Sequence, residues 1–274
     1  MKKIVRSLVS NLLYLVPEES RYEICRHHTN KHFAENRSDF HSNGELWLLK
    51  SVMPYMHTVF DIGAFRGEWA AEALRLNPHI RLHSFEPSQR SFAELQRNLS
   101  GEGVTCNNFG LGARDSRATL YGFEQLGEGD SLYLRKGLEN IKGYTPQNTR
   151  EEVEIQTLDE YCSERSIDRI DLIKIDVEGH ELAVIQGAKG LFEREAVEMV
   201  QFEYGGCYID SRTLLRDMYE FFEGTNYTFF LLYPDRLRAV ADYDQRLENF
   251  QYKNFVIANY RVIRGASYFQ QLMS

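Results

Sequence analysis

Carboxylates at the ends of apolar runs are the residues of this sequence best placed to do chemistry. Asp61 follows Val59-Phe60 and leads into the small-residue turn Ile62-Gly63-Ala64-Phe65-Arg66-Gly67. Glu86 ends Arg81-Leu82-His83-Ser84-Phe85 and is followed by Pro87. Asp176, Glu178 and His180 close the clearest apolar run of the chain, residues 170–177. Such groups can hold a cation, accept hydrogen bonds from a diol, or take a proton from a weakly acidic hydroxyl. Asp176 and Glu178, two residues apart, raise each other's pKa, and His180 has the ordinary pKa best suited to neutral pH. Plainer roles stand beside these: Asp176 as a helix cap, Glu178 as an acid favourable to a helix dipole, His180 as a packing residue. A divalent ion on Asp176 and Glu178 needs a third ligand that the sequence does not offer, so no metal site is expected.

The turn after Asp61 narrows the ligand. A dinucleotide fingerprint places three glycines so that a pyrophosphate meets a helix N-terminus. Here only Gly63 and Gly67 are glycines, and Asp61 would repel a phosphate. S-adenosylmethionine carries an ammonium and a sulfonium and no phosphate, so it fits the charge better than a nicotinamide dinucleotide. Glu86, 23 residues after Gly63, is positioned for both ribose hydroxyls. Asn108 either lines the adenine edge or bonds local backbone.

A rigid sheet must hold these groups, and periodicity supplies one. Strands are predicted at 59–62, 81–85, 104–111, 170–177 and 197–203, with amphipathic helices at 68–76, 91–99 and 182–192 between them. Strands at 227–232 and 253–259 read as a closing antiparallel pair, so the fold expected is a doubly wound α/β sheet with a mixed edge. Residues 114–160 interrupt the alternation as an inserted β-arm, and the Gly- and polar-rich stretch 135–150 reads as a lid. Residues 1–50 read as a helical extension ahead of a domain at 51–274. Ile4, Leu8, Leu12 and Leu15 share one face of a helix, fit for a subunit, the domain itself or a membrane surface. His27, His28, His32 and His41 lack the pairing with a third ligand that a metal site needs. The chain has 274 residues, 43% of them hydrophobic, enough for a sizeable core, and its net charge of −8 argues against nucleic acid as partner. Four dispersed cysteines and no 18-residue apolar run point to reduced thiols in a cytoplasmic protein without a membrane span.

Together, Val59-Phe60-Asp61-Ile62-Gly63-Ala64 with Gly67, Phe85-Glu86-Pro87, Leu158-Asp159-Glu160-Tyr161, and Asp171 through Glu181 with Gly187-Ala188 resemble the FkbM family of methyltransferases. The resemblance covers about residues 57–205. It implies a Rossmann-like class I methyltransferase fold and O-methylation of a sugar or polyketide hydroxyl by S-adenosylmethionine. By the same resemblance Asp61, Gly63, Ala64 and Gly67 form the methionine-side turn, Glu86 holds the ribose, and Asp176 and Glu178 face the methyl group. Asp176, Glu178 and His180 stay open as the base. Tyr204 and Tyr208, after the fifth strand, are expected at the acceptor edge. The competing readings are a non-catalytic S-adenosylmethionine-binding module and an NAD-dependent oxidoreductase. A homodimer, or a peripheral membrane contact through the N-terminal helix, is the association that the extension would serve.

Overall fold

The computed structural model describes residues 13–123, 129–137, 140 and 145–273. The helix expected from Ile4 onward lies almost wholly outside the described residues, as does part of the stretch 135–150. In chain order the strands are β1 (Thr58–Ile62), β2 (Arg81–Phe85), β3 (Val104–Asn107), β4 (Gly110–Leu111), β5 (Ser116–Gly122), β6 (Thr149–Gln156), β7 (Ile170–Ile175), β8 (Val197–Tyr204), β9 (Tyr227–Leu232), β10 (Leu237–Ala239) and β11 (Lys253–Asn259).

Eight of them form one sheet in the order β10-β9-β11-β8-β7-β1-β2-β3. From β3 to β8 neighbours run parallel, while β11 pairs antiparallel with both β8 and β9. Strands buried on both faces must be apolar throughout, and β1 and β7 are buried at every position. Side chains alternate between faces. Val59, Leu172 and Met199 join the core under helices Glu45–Val52 and Glu68–Leu76, whereas Phe60, Ile173 and Val200 join the core under helices Leu158–Glu164 and Glu181–Gln186. This is the doubly wound sheet that the periodicity predicts, and the order reverses between β1 and β7, where β1 is followed in sequence by β2 on one side and lies against β7 on the other. Ligands bind outside the carboxyl ends of strands at such a switch point.

The inserted arm is a second, three-stranded sheet in the order β4-β6-β5 with a small core of its own around Leu120, Val153 and Ile155. Helix Glu18–Phe33 buries none of its residues. Residues 34–52 behave differently. Ala34, Leu48, Leu49 and Val52 belong to the main cores, and the buried pair Glu35–Lys253 (2.7 Å) fastens this stretch to β11. Among the described residues no helix is long and apolar enough to cross a membrane.

Candidate active site

The carboxyl ends of β1, β2, β7 and β8 open into a crevice of about 750 Å³. Gly63, Ala64, Glu86, Asp176, Glu178 and His180 line it, as the sequence reading expects, joined by Glu45, Arg135, Lys174 and Glu203. A second cavity, about 810 Å³, lies at the amino ends of the strands. Its Arg169 is already held by Asp171 and Glu198, so its charges largely cancel.

Local hydrogen bonding explains the turn after β1. The amides of Gly63 and Ala64 both donate to the Phe85 carbonyl (3.0 and 2.9 Å), and Gly67 N–H donates to Ala64 O (2.8 Å). These amides are therefore spent on the protein rather than on a phosphate. Gly63 has φ +79°, and a Cβ there would collide with the Asp176 carbonyl, so the turn requires glycine. Phe65 N–H donates to Glu86 Oε2 (2.9 Å) and Ser88 N–H to Oε1 (2.8 Å). Burial pushes the Glu86 carboxyl up to about 8 against the pull of these two donors. Each oxygen keeps a lone pair, so the group can still receive hydrogen bonds from a ligand diol.

Asp61 does not face the crevice. It is fully buried and pairs in register with Lys174 of β7, at 3.7 Å. The ammonium lies between Asp61 and Asp176 (3.1 Å). Burial works against a charged lysine here, but Asp176, Asp61 and Glu45 outweigh it and hold Lys174 above its ordinary pKa. Burial likewise raises Asp61, to about 6, with Lys174 pulling it down. The cation that the sequence reading assigned to a ligand is thus partly the protein's own. A lysine inside an apolar strand was the available signal, since a buried charge needs partners.

Two more expected cofactor contacts are displaced. Gly67 does not line the crevice; it has φ +89° and a Cβ would come within 2.9 Å of Leu95, so it serves helix packing. Asn108 is exposed and donates to the carbonyls of Glu86 and Pro87 (3.0 and 3.1 Å), the local backbone alternative.

The loop after β7 is held from two sides. Glu181 Oε1 accepts from Val177 and Gly179 N–H (3.1 and 3.2 Å), which folds the loop back on its own helix. From the arm, Ser131 Oγ donates to the Glu178 carbonyl (2.7 Å), Tyr133 Oη hydrogen-bonds His180 Nδ1 (2.8 Å), and Arg135 pairs with Glu178 (2.6 Å) and Asp210 (3.4 Å). Burial pushes His180 down to about 4, so it is neutral at physiological pH and a weak base, contrary to its ordinary titration range. Tyr204 and Tyr208 are fully buried and absent from the crevice wall; Tyr204 Oη donates to Glu248 (2.8 Å).

Glu203, unremarked in the sequence, closes the acidic end. β7 and β8 pair Ile175 with Phe202, so Asp176 and Glu203 stand side by side one step further on. Oxygens of Asp176, Glu178 and Glu203 lie within 4.8 Å of one another. Carboxylates so close either share a proton or take up a cation. The signal was a strand-end acid before Gly205-Gly206, the pattern that had flagged Asp61.

A doubly wound sheet with a crevice of acids at its carboxyl edge defines the class of fold, a Rossmann-like α/β domain. Residues 61–229 match the methyltransferase FkbM domain, and the chain belongs to that family. It is 26% identical over 174 residues to Methyltransferase 1 of Beauveria bassiana, covering 57% of this chain and 69% of the relative. It is 30% identical over 139 residues to the 2-O-methyltransferase NoeI of Sinorhizobium fredii (48% and 57% of the two chains). It is also 30% identical over 153 residues to the 31-O-demethyl-FK506 methyltransferase FkbM of Streptomyces tacrolimicus (48% and 59%). Thus the chain spans somewhat over half the length of the latter two relatives. Among solved structures, the plantazolicin methyltransferase BpumL in complex with SAH aligns at TM-score 0.39 and 9% identity over 88% of this chain and 91% of that one.

Proposed function

We propose that this methyltransferase uses S-adenosylmethionine to methylate a hydroxyl of a sugar or related natural product. The observation that carries this reading is the charge of the crevice. Glu45, Glu68, Glu86, Asp130, Asp176, Glu178 and Glu203 line it against Lys174 and Arg135, both of which are paired within the protein. Burial keeps part of this wall protonated, Glu86 and Glu203 among it, but among the described residues it offers a pyrophosphate no unpaired cation, and its charged members favour a ligand bearing a sulfonium and an ammonium. Glu86 would hold the ribose, with Gly63 and Ala64 beneath the methionine portion. When bound, the cofactor supplies an activated methyl group on sulfur. The protein's share is to orient the acceptor oxygen, exclude water and remove a proton. Two relatives are named for O-methylation, one of them at a 2-position, which supports a hydroxyl acceptor.

Calorimetric titration with S-adenosylhomocysteine, with NAD as control, tests the cofactor. Micromolar binding of the first and none of the second is expected, and the reverse would sink the reading. Transfer of labelled methyl to hydroxyl acceptors then tests the reaction.

A further inference from the structure

We infer that Glu203 is the group that takes the acceptor's proton. This rests on the hydroxyl-methylation reading above and names a residue outside the segments on which the family resemblance was read.

The three clustered carboxylates are not equivalent. Asp176 has the Lys174 ammonium at 3.1 Å, and Glu178 has the Arg135 guanidinium at 2.6 Å. These two fixed cations beside the cluster oppose the entry of a divalent ion. Glu203 alone of the three has no hydrogen bond or ion pair to its carboxylate among the described residues. It lines the crevice from the end of β8. The charged groups that act on it come from every side: Asp176 and Glu178 from the loop after β7, Glu181 from the following helix, and Glu45 from the helix ahead of β1. Tyr252, before β11, and Cys207 also lie within its field. Burial first, and then these like charges, hold its pKa well above the usual carboxylate range. The ionised form of such a carboxylate, unpaired among other carboxylates, binds a proton readily, and it is this form that a base for a sugar hydroxyl requires, so transfer should rise with pH as Glu203 gives up its resting proton. His180 is a poor rival, because its Nδ1 is committed to Tyr133.

The step balances. The hydroxyl O–H bond breaks, its electron pair forms the bond to the methyl carbon, and its proton passes to an oxygen of the ionised Glu203 carboxylate. The carbon–sulfur pair stays on sulfur, leaving a neutral thioether, and Glu203 returns the proton to solvent.

The experiment compares wild type, Glu203→Gln and Glu203→Asp in three measurements. These are S-adenosylhomocysteine affinity, thermal midpoint from pH 6.5 to 8.5, and labelled methyl transfer to a panel of methyl hexopyranosides and 6-deoxyhexopyranosides, with and without EDTA. Glu203→Gln is expected to bind S-adenosylhomocysteine within about threefold of wild type and to lose at least about 100-fold in transfer. Glu203→Asp should recover part of that loss, and EDTA should change nothing. In the thermal scan Glu203→Gln should exceed wild type by a margin that widens with pH, because it removes an unpaired charge set among like charges. Wild-type transfer by Glu203→Gln overturns the assignment, as does transfer abolished by EDTA and restored by magnesium. If wild type binds S-adenosylhomocysteine yet methylates no probe, the function reading is what fails. The thermal scan then judges Glu203 separately, and a Glu203→Gln variant less stable than wild type at every pH overturns its unpaired status.

Discussion

Several acids that make the family motif recognisable turn out to hold the chain in shape. Asp171 accepts from the amides of His57 and Thr58 (2.7 and 2.9 Å) and so aligns the start of β1. Asp159 accepts from those of Gly190 and Leu191 (2.7 and 2.9 Å), capping a helix start. Glu181 folds the loop after β7. Glu86 is different, since it both anchors the turn and faces the crevice. Removing it as Glu86→Ala should weaken S-adenosylhomocysteine binding by roughly 10–100-fold, the loss of one hydrogen bond to a carboxylate at about 1.5–3 kcal/mol. The stranded amides of Phe65 and Ser88 should also lower the thermal midpoint by a few degrees, with far-UV circular dichroism unchanged. Calorimetry checks the first effect; wild-type affinity would remove Glu86 from the ribose role. Residue types and strand-end spacing were enough to find Glu86, Asp176 and Glu178. They could not show that Asp61 is occupied by Lys174, or that His180 is held neutral, because both facts depend on which side chains meet across strands and arms.

At the scale of elements, the period-2 and period-3.6 patterns gave most of the parallel strands and covering helices closely, but the strand expected at 104–111 divides into β3 of the main sheet and β4 of the arm, and the helix expected at 182–192 into Glu181–Gln186 and Lys189–Glu193. What they could not give was the docking of the arm. Ser131, Tyr133 and Arg135 alternate along one short segment and all reach the loop after β7, and only the tertiary path brings them there. The same holds for residues 34–52, whose Glu45 accepts from Gln201 of β8 (2.8 Å) inside the core. The arm segment should position the catalytic loop without touching the cofactor side. Arg135→Ala removes the ion pairs to Glu178 and Asp210 and loosens the loop, so turnover should fall about 10–100-fold while S-adenosylhomocysteine affinity stays within threefold, with Arg135→Lys between them. Parallel binding and steady-state measurements read this split. An equal loss in both would mean that the arm shapes the whole crevice.

For the molecule as a whole, buried ionisable groups set the balance between stability and function. The Lys253–Glu35 pair is almost free of solvent, so Glu35→Gln should cost about 3–5 kcal/mol in urea denaturation by leaving a buried ammonium behind. Replacing both partners by Met should cost much less, which would mark the pair as a register device for residues 34–52 rather than a net source of stability. The pH dependence follows from the raised acids. Burial lifts Glu181 and Glu86 to about 8 from an ordinary value of 4.5. Between those values the native state holds protons that the unfolded chain has released, so stability falls as pH rises through this window. Burial drives His83 and His180 the other way, to about 4 from 6.5, so their contribution rises with pH but ends at 6.5. From pH 6.5 to 8 the acids act unopposed by these histidines. Ligand-free protein should therefore lose stability across that interval, each of the two acids contributing a slope of up to about 1.4 kcal/mol per pH unit. Glu181 is fully buried and, among the described residues, its Oε2 has no hydrogen-bond partner, so Glu181→Gln keeps the shape, removes one titration and should flatten the slope. Urea midpoints at three pH values for both proteins measure it. A wild-type stability that is flat or rising from pH 6.5 to 8 would mean that these carboxyls stay charged in the fold, and the case for a crevice of proton-holding acids would lose its physical basis.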